Sequence, residues 1–331
     1  MATTTTYFDS AIKHQVDLIR VEQGETRRIV RILREADDKI DTILAKRGLP
    51  RYGTKAYDKI VERILGIRKE AMAEIKTILT DGMHRLVDIE RTTEIRALRA
   101  AGIDPGDVDL NTLRKRVLRT PFSTSPGQMA LFDDWLKSLA LADTKRVADA
   151  LASAARTRAD ARKLLVGTSG AKYKDGLLSR THRNAEAIVR TSFTHLSSVV
   201  REAIWNESNR IVAYRWTAML DRRLCPICLS HHGKYVPVAG HKLPKGLPAL
   251  TPLGLRPPLH ANCRCVLVPL FSLDALTDLP TADEWLTGQS AESQNAILGV
   301  RRAKLYRDGK IDADAMTNQV GRLLTLDQLG E

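Results

Sequence analysis

The sequence predicts a mostly helical α+β protein: a long N-terminal helical hairpin, a small α+β domain with a short sheet, and a helical C-terminal tail. Two observations carry that class. Aromatic residues make up only 5% of a chain that is 43% hydrophobic, so the core has to be built from aliphatic side chains, which favour helices. Apolar residues also recur at helical spacing along most of the chain, and the period shortens to two only near residue 212.

The first helix is expected from Asp9 to about Gly48, on a near-heptad stripe of Ile12, Val16, Ile19, Val30, Leu33, Ile40 and Leu44. Gly48, Pro50 and Gly53 break it, and a second stripe runs from Ile60 to Leu98. Together they read as an antiparallel hairpin or coiled coil over 1–101. Turn-forming residues (Asp104-Pro105-Gly106, Thr120-Pro121, Ser125-Pro126-Gly127) mark 102–127 as a linker.

The α+β domain is placed at 128–275. Helices are expected from Met129 to Leu141, from Asp143 to Leu165 and from about Arg183 to Asn206, with a loop around Gly167 to Gly176. Val212, Tyr214 and Trp216 alternate with Ala213, Arg215 and Thr217, the pattern of a half-buried strand. Lys234–Val238 and Arg264–Leu270 are two further strands, separated by a Pro/Gly-rich excursion from Gly240 to Pro258. The tail, 276–331, resumes helix at Thr281, where Glu284 stands at capping-box spacing.

All four cysteines lie between 225 and 265. Cys225-x-x-Cys228 sets two thiolates within reach of one ion, and His260 with Cys263 repeats the close spacing, so four soft ligands can converge on Zn²⁺. Cys265 shares a strand face with Cys263, and either could be the fourth ligand. The alternative is that these thiols pack as small buried hydrophobes. With four protein ligands no place is left for water, which makes the metal a structural staple. No catalytic set emerges: Asp221 reads as a turn cap or ion-pair partner, and His231 and His232 as exposed loop residues lacking a third orienting group beside Cys225.

The run from Arg190-Thr191 through Tyr214-Arg215-Trp216, Asp221, Cys225-x-x-Cys228, Gly233-Lys234 and Pro257-Pro258 to His260-x-x-Cys263-Arg264-Cys265 resembles the core of the Mu F-like phage head-morphogenesis family. Glu284-Trp285-Leu286 and Ile297-Leu298-Gly299 resemble the C-terminal extension of many members. The resemblance covers about the second half of the chain. It implies a non-enzymatic minor head protein of a tailed bacteriophage, made in the host cytoplasm and held inside the capsid at the portal vertex. Its partners would be portal and capsid proteins, and its work head assembly and genome packaging or delivery. The competing readings are a zinc-stabilised DNA-binding protein and a metal-dependent nuclease.

Lys and Arg number 52 against 39 Asp and Glu, a formal charge of +13, which favours an anionic partner such as packaged double-stranded DNA. The densest basic runs are Arg114, Lys115, Arg116 and Arg119, then Arg156, Arg158, Arg162 and Lys163; few aromatics interleave, so contact would be with phosphates rather than stacked bases. No stretch has the length and apolarity of a signal peptide or membrane span, so no membrane partner is expected. The long apolar stripe of the hairpin invites self-association.

Overall fold

The computed structural model describes residues 4–125, 127–168, 175–208, 210–221, 223–238, 242–243, 249–250, 256–271, 281–318 and 322–330. Most of the Gly240–Pro258 excursion, His241 included, and the centre of the Gly167–Gly176 loop lie outside these residues, as do the side chains of Asp9 and Ile12. The chain forms two compact units that interleave in sequence: one from 1–17, 86–131 and 190–331, the other from 18–85 and 132–189.

Helices α1 (Thr4–Arg47) and α2 (Lys55–Ala100) contribute to both. In the 18–85/132–189 unit they are joined by α4 (Phe132–Thr157), α5 (Ala161–Val166) and the start of α6 (Ser179–Trp205). α4 runs unbroken through Leu141-Ala142-Asp143, where the sequence suggested two helices; Leu141 is exposed, so a gap in the stripe is no break in the helix. The core gathers Ile40, Leu44, Ile64, Val147, Leu151 and Leu165. Set in it is a buried ion cluster. Arg68 donates from Nε and Nη2 to Asp143 Oδ2 at 2.9 and 2.8 Å and from Nη1 to Asp37 Oδ1 at 2.6 Å. His182 meets Asp37 at 2.7 Å, and Thr181 donates to Asp143 at 2.6 Å.

In the other unit, the ends of α1 and α2 are joined by α3 (Leu110–Arg119), a hairpin of β1 (Phe122–Ser125) and β2 (Gln128–Ala130), and the rest of α6. The segment read as a linker therefore contains a helix capped by Asp109, whose carboxylate accepts from the Thr112 N–H, and Met129 sits in a strand rather than opening a helix. The buried face of α1 here is Tyr7, Ala11 and Gln15, while Val16 is 42% exposed; the apolar stripe is offset because this core is partly polar. Tyr7 Oη and Trp205 Nε1 each donate to Glu94 Oε1 at 2.5 Å, Arg201 pairs with Glu94 at 3.0 Å, and Ser197 donates to Glu90 at 2.8 Å.

The same unit carries a three-stranded antiparallel sheet in the order β4 (Tyr235–Pro237), β3 (Ala213–Thr217), β5 (Val266–Leu270). Trp216 pairs with Leu267, and Tyr214 with Val236 and Pro269. As the central strand, β3 is buried at all five residues, Arg215 and Thr217 included, which corrects the half-buried reading: alternation in type here does not mean alternation in exposure. The tail supplies α8 (Ala282–Thr287), α9 (Ala291–Leu298) and α10 (Val300–Arg307). The capping box forms as read: Thr281 Oγ1 accepts from Glu284 N at 3.2 Å, and Glu284 accepts from Thr281 N at 2.7 Å.

Candidate metal centre

The six-residue helix α7 (Pro226–His231) builds one side of the centre. Cys225 is its N-cap, with Sγ accepting from Cys228 N at 3.4 Å; Pro226, at the first helical position, has no N–H to leave unpaired. That geometry turns the Cys225 and Cys228 sulfurs toward one point. The tail braces this helix, because the turn at Ala313–Met316 packs on it and Ser230 Oγ lies 3.0 Å from Thr317 Oγ1.

The loop before β5 supplies the other side. Cys263 N donates to His260 O at 3.1 Å, and Asn262 takes a left-handed φ of 65°, which asparagine tolerates better than most residues. α6 clamps this loop. Thr191 Oγ1 accepts from Asn262 N at 3.2 Å, Thr194 Oγ1 donates to Cys263 O at 3.2 Å, and Arg190 donates to Asn262 Oδ1 at 3.2 Å. Sequence reading passed over Thr194 and Asn262 as site residues; an Asn one place before a ligand cysteine was the available signal. Arg264 forms a two-pronged pair with Asp221 at 2.5 and 2.6 Å, tying the loop to the segment that precedes α7.

His260 Nδ1 lies 2.7 Å from the Ala261 carbonyl, so Nδ1 carries the proton and donates it. Nε2 then faces the sulfurs, 3.2 Å from Cys225 Sγ and 3.0 Å from Cys228 Sγ. Cys228 Sγ lies 3.9 Å from Cys263 Sγ. Two groups result, Cys225–Cys228–His260 and Cys228–Cys263–Cys265, in each of which the donor atoms lie within 4.8 Å of one another. Cys228 belongs to both. A tetrahedral ion bound at ordinary Zn–S and Zn–N lengths holds its ligand atoms roughly 3.5–3.8 Å apart; the Cys228 and Cys263 sulfurs stand near that spacing, and His260 Nε2 sits closer than that to its two sulfurs.

The protons are arranged to match. The neighbouring Cys228 thiol and then His260 hold Cys225 down to about 4, and the Cys228 and Cys265 thiols hold Cys263 well below the usual thiol range. Burial opposes a charge on His260, but the Cys225 sulfur and the Cys263 charge raise it to about 9. Cys228 is pushed up by hydrogen bonding to its three neighbouring sulfurs, and Cys265 chiefly by burial. A cation held by Cys225, Cys228, His260 and Cys263 or Cys265 would take the place of the protons on His260 and the neutral thiols.

Residues 145–268 match the family of phage Mu protein F like proteins. No curated protein and no solved structure matches the chain. The Mu F-like segment begins within α4 and ends within β5, so it includes α6, α7 and all five metal-ligand candidates.

The other predicted positions divide. Asp221 is an ion-pair partner, its carboxyl lowered first by the Arg264 hydrogen bond. His231 and His232 are not exposed: both are buried where α7 turns into β4, with His231 Nδ1 2.7 Å from Ile227 O and His232 Nδ1 accepting from Ala218 N at 3.0 Å. Of the basic runs, Arg114 pairs with Asp88 at 3.0 Å, while Lys115, Arg116 and Arg119 are exposed on α3. In the other unit Arg156 lies over the Tyr52 ring, Arg162 pairs with Asp41 at 2.5 Å, and Arg158 and Lys163 are exposed. Among the described residues no helix is long and apolar enough to cross a membrane.

Proposed function

We propose that this chain is a minor head protein of a tailed bacteriophage, seated at the portal vertex inside the capsid and serving head morphogenesis and genome packaging or delivery. The observation that carries this is the Mu F-like segment, a family description that points to phage head morphogenesis. Zinc is the metal assigned to the centre, as a structural staple held by Cys225, Cys228, His260 and one of Cys263 and Cys265. Its chemistry would be to cross-link α7 to the loop before β5, two pieces of chain some thirty residues apart. The protein works by binding rather than by catalysis. The burial of His231 and His232, each with Nδ1 engaged by the backbone, supports that against a nuclease. Packaged duplex DNA is an expected neighbour, met through phosphates.

Phage heads purified at successive assembly stages provide the test. The protein should co-sediment with immature and mature heads and be captured with the portal, and fresh reduced protein should carry about one zinc per chain. A chain absent from every head fraction overturns the assignment. Intact duplex after long incubation with Mg²⁺, Mn²⁺ or Zn²⁺ is the expected outcome; degradation by pure protein would establish the nuclease instead.

A further inference from the structure

The positive charge is unevenly held. The unit of residues 18–85 and 132–189 has 27 of the 52 Lys and Arg but only 18 of the 39 Asp and Glu, so nine of the thirteen net charges lie in it. Within that unit the end of α1, the turn into α2, the end of α4 and the start of α5 enclose a cleft of about 470 Å³ lined by Arg51, Arg158 and Arg162. Lys46 and Arg47 precede it in the last turn of α1, and Lys163 follows it.

Two arginines build this surface. Arg156 Cζ sits 4.2 Å over the Tyr52 ring while Nη2 donates to Tyr52 Oη at 2.7 Å, and Arg162 grips Asp41 through Nε and Nη2 at 2.5 and 3.2 Å. Arg51, Arg158 and Lys163 are exposed, and none has a carboxylate partner among the described residues. Asp160, the acid among the described lining residues, caps α5 by accepting from Arg162 N and Lys163 N.

Arg158 adds an independent observation. α4 ends with Ala159 N donating to Ala154 O at 3.0 Å, and Arg158 has φ 58° at the position where such helix ends favour glycine. A side chain with a β-carbon is strained there. Arginine at this position gives up stability that glycine would supply, and in return places a guanidinium on the rim of the cleft.

We propose that this end of the unit, centred on Arg51, Arg158 and Lys163, grips the phosphate backbone of duplex DNA. Guanidinium groups match phosphate oxygens in two-pronged fashion, and an open rim lets them follow a backbone. Arg156 already lies over the Tyr52 ring, so that face is taken by a guanidinium rather than offered to single-stranded bases. The assignment rests on the reading of this chain as a head protein that meets packaged DNA, and it adds Arg51 and the cleft to the basic run visible in sequence.

The test uses the full zinc-loaded chain and short duplexes of unrelated sequence, with affinity measured against salt. For the triple variant Arg51→Ser, Arg158→Gly, Lys163→Ser the slope of log affinity on log salt should fall by about 2–3, since each phosphate contact contributes about 0.9, with at least a tenfold loss of affinity. Replacing Lys115, Arg116 and Arg119 of α3 by Ser should change the slope by less than about 1. Arg158→Gly alone should weaken binding while melting no lower than the parent, which separates contact from folding. A parental slope in the triple variant, or the α3 variant taking the whole loss, overturns the location while leaving a DNA-binding head protein. No duplex binding by the parent at low salt overturns the DNA reading itself, and competition by polyglutamate as effective as duplex replaces DNA with an acidic protein partner.

Discussion

Replacing Arg68 by Met tests whether the buried ion cluster holds the 18–85/132–189 unit together. Arg68 has no exposed surface and supplies three hydrogen bonds to two carboxylates, themselves 0% and 2% exposed. Methionine restores most of the volume, so the loss is electrostatic: Asp37 and Asp143 stay buried without their shared cation. Removing one member of a buried pair costs about 3–5 kcal/mol. The lower end applies here, about 3 kcal/mol, because Asp37 keeps His182 at 2.7 Å and Asp143 keeps Thr181 and Arg146 at 2.6 and 2.7 Å. Urea unfolding at neutral pH measures the change. Burial opposes the charge on Asp143, but Arg68, Thr181 and Arg146 hold its carboxyl below the usual range. That contribution is present above the ordinary carboxylate pKa and disappears as pH falls through the folded value, so the variant should show a shallower acid limb. A loss under about 1 kcal/mol with an unchanged acid limb would refute a cohesive role for the cluster.

Three more outcomes are expected. Cys228→Ser, which removes the sulfur common to both donor groups, should abolish zinc retention, and Cys263→Ser should weaken it more than Cys265→Ser because Cys263 Sγ stands 3.9 Å from Cys228 Sγ; metal analysis after dialysis reads all three. Burial lowers His195 to about 4, below its ordinary 6.5, so the unfolded chain binds the extra proton first and stability declines as pH drops through that window, by about 3 kcal/mol at most. His195→Gln should flatten that part of the pH–stability curve, and an unchanged curve would place the decline elsewhere. Thr281→Ala should cost about 1 kcal/mol by opening the capping box, measured by thermal unfolding.

Legibility followed the range of the signal. The capping box, the C-x-x-C turn and the helical stripes through Leu33, Ile40 and Leu44 are local, and each forms where its residues stand. The α1 stripe failed at Val16 because burial there follows the Tyr7–Glu94–Trp205 hydrogen bonds, joining residues 87 and 111 positions apart. α3 and the β1–β2 hairpin were hidden by proline and glycine that here mark turns between short elements rather than a structureless link. His231 and His232 looked like loop residues, since nothing local tells that the end of α7 is buried.

By itself the sequence determined the helical class, the alternation that becomes β3, the chemistry of the five metal-ligand candidates and the surplus of positive charge. These are properties of residue type and short spacing, which survive in any arrangement of the chain. Only the tertiary structure decided that Cys228 is shared by two donor groups, that α6 clamps the His260–Cys263 loop through Thr191 and Thr194, and that Arg51 joins Arg158 on one cleft. Each depends on segments far apart in sequence, whose approach is set by packing the whole core, and no local pattern encodes a distance of that kind.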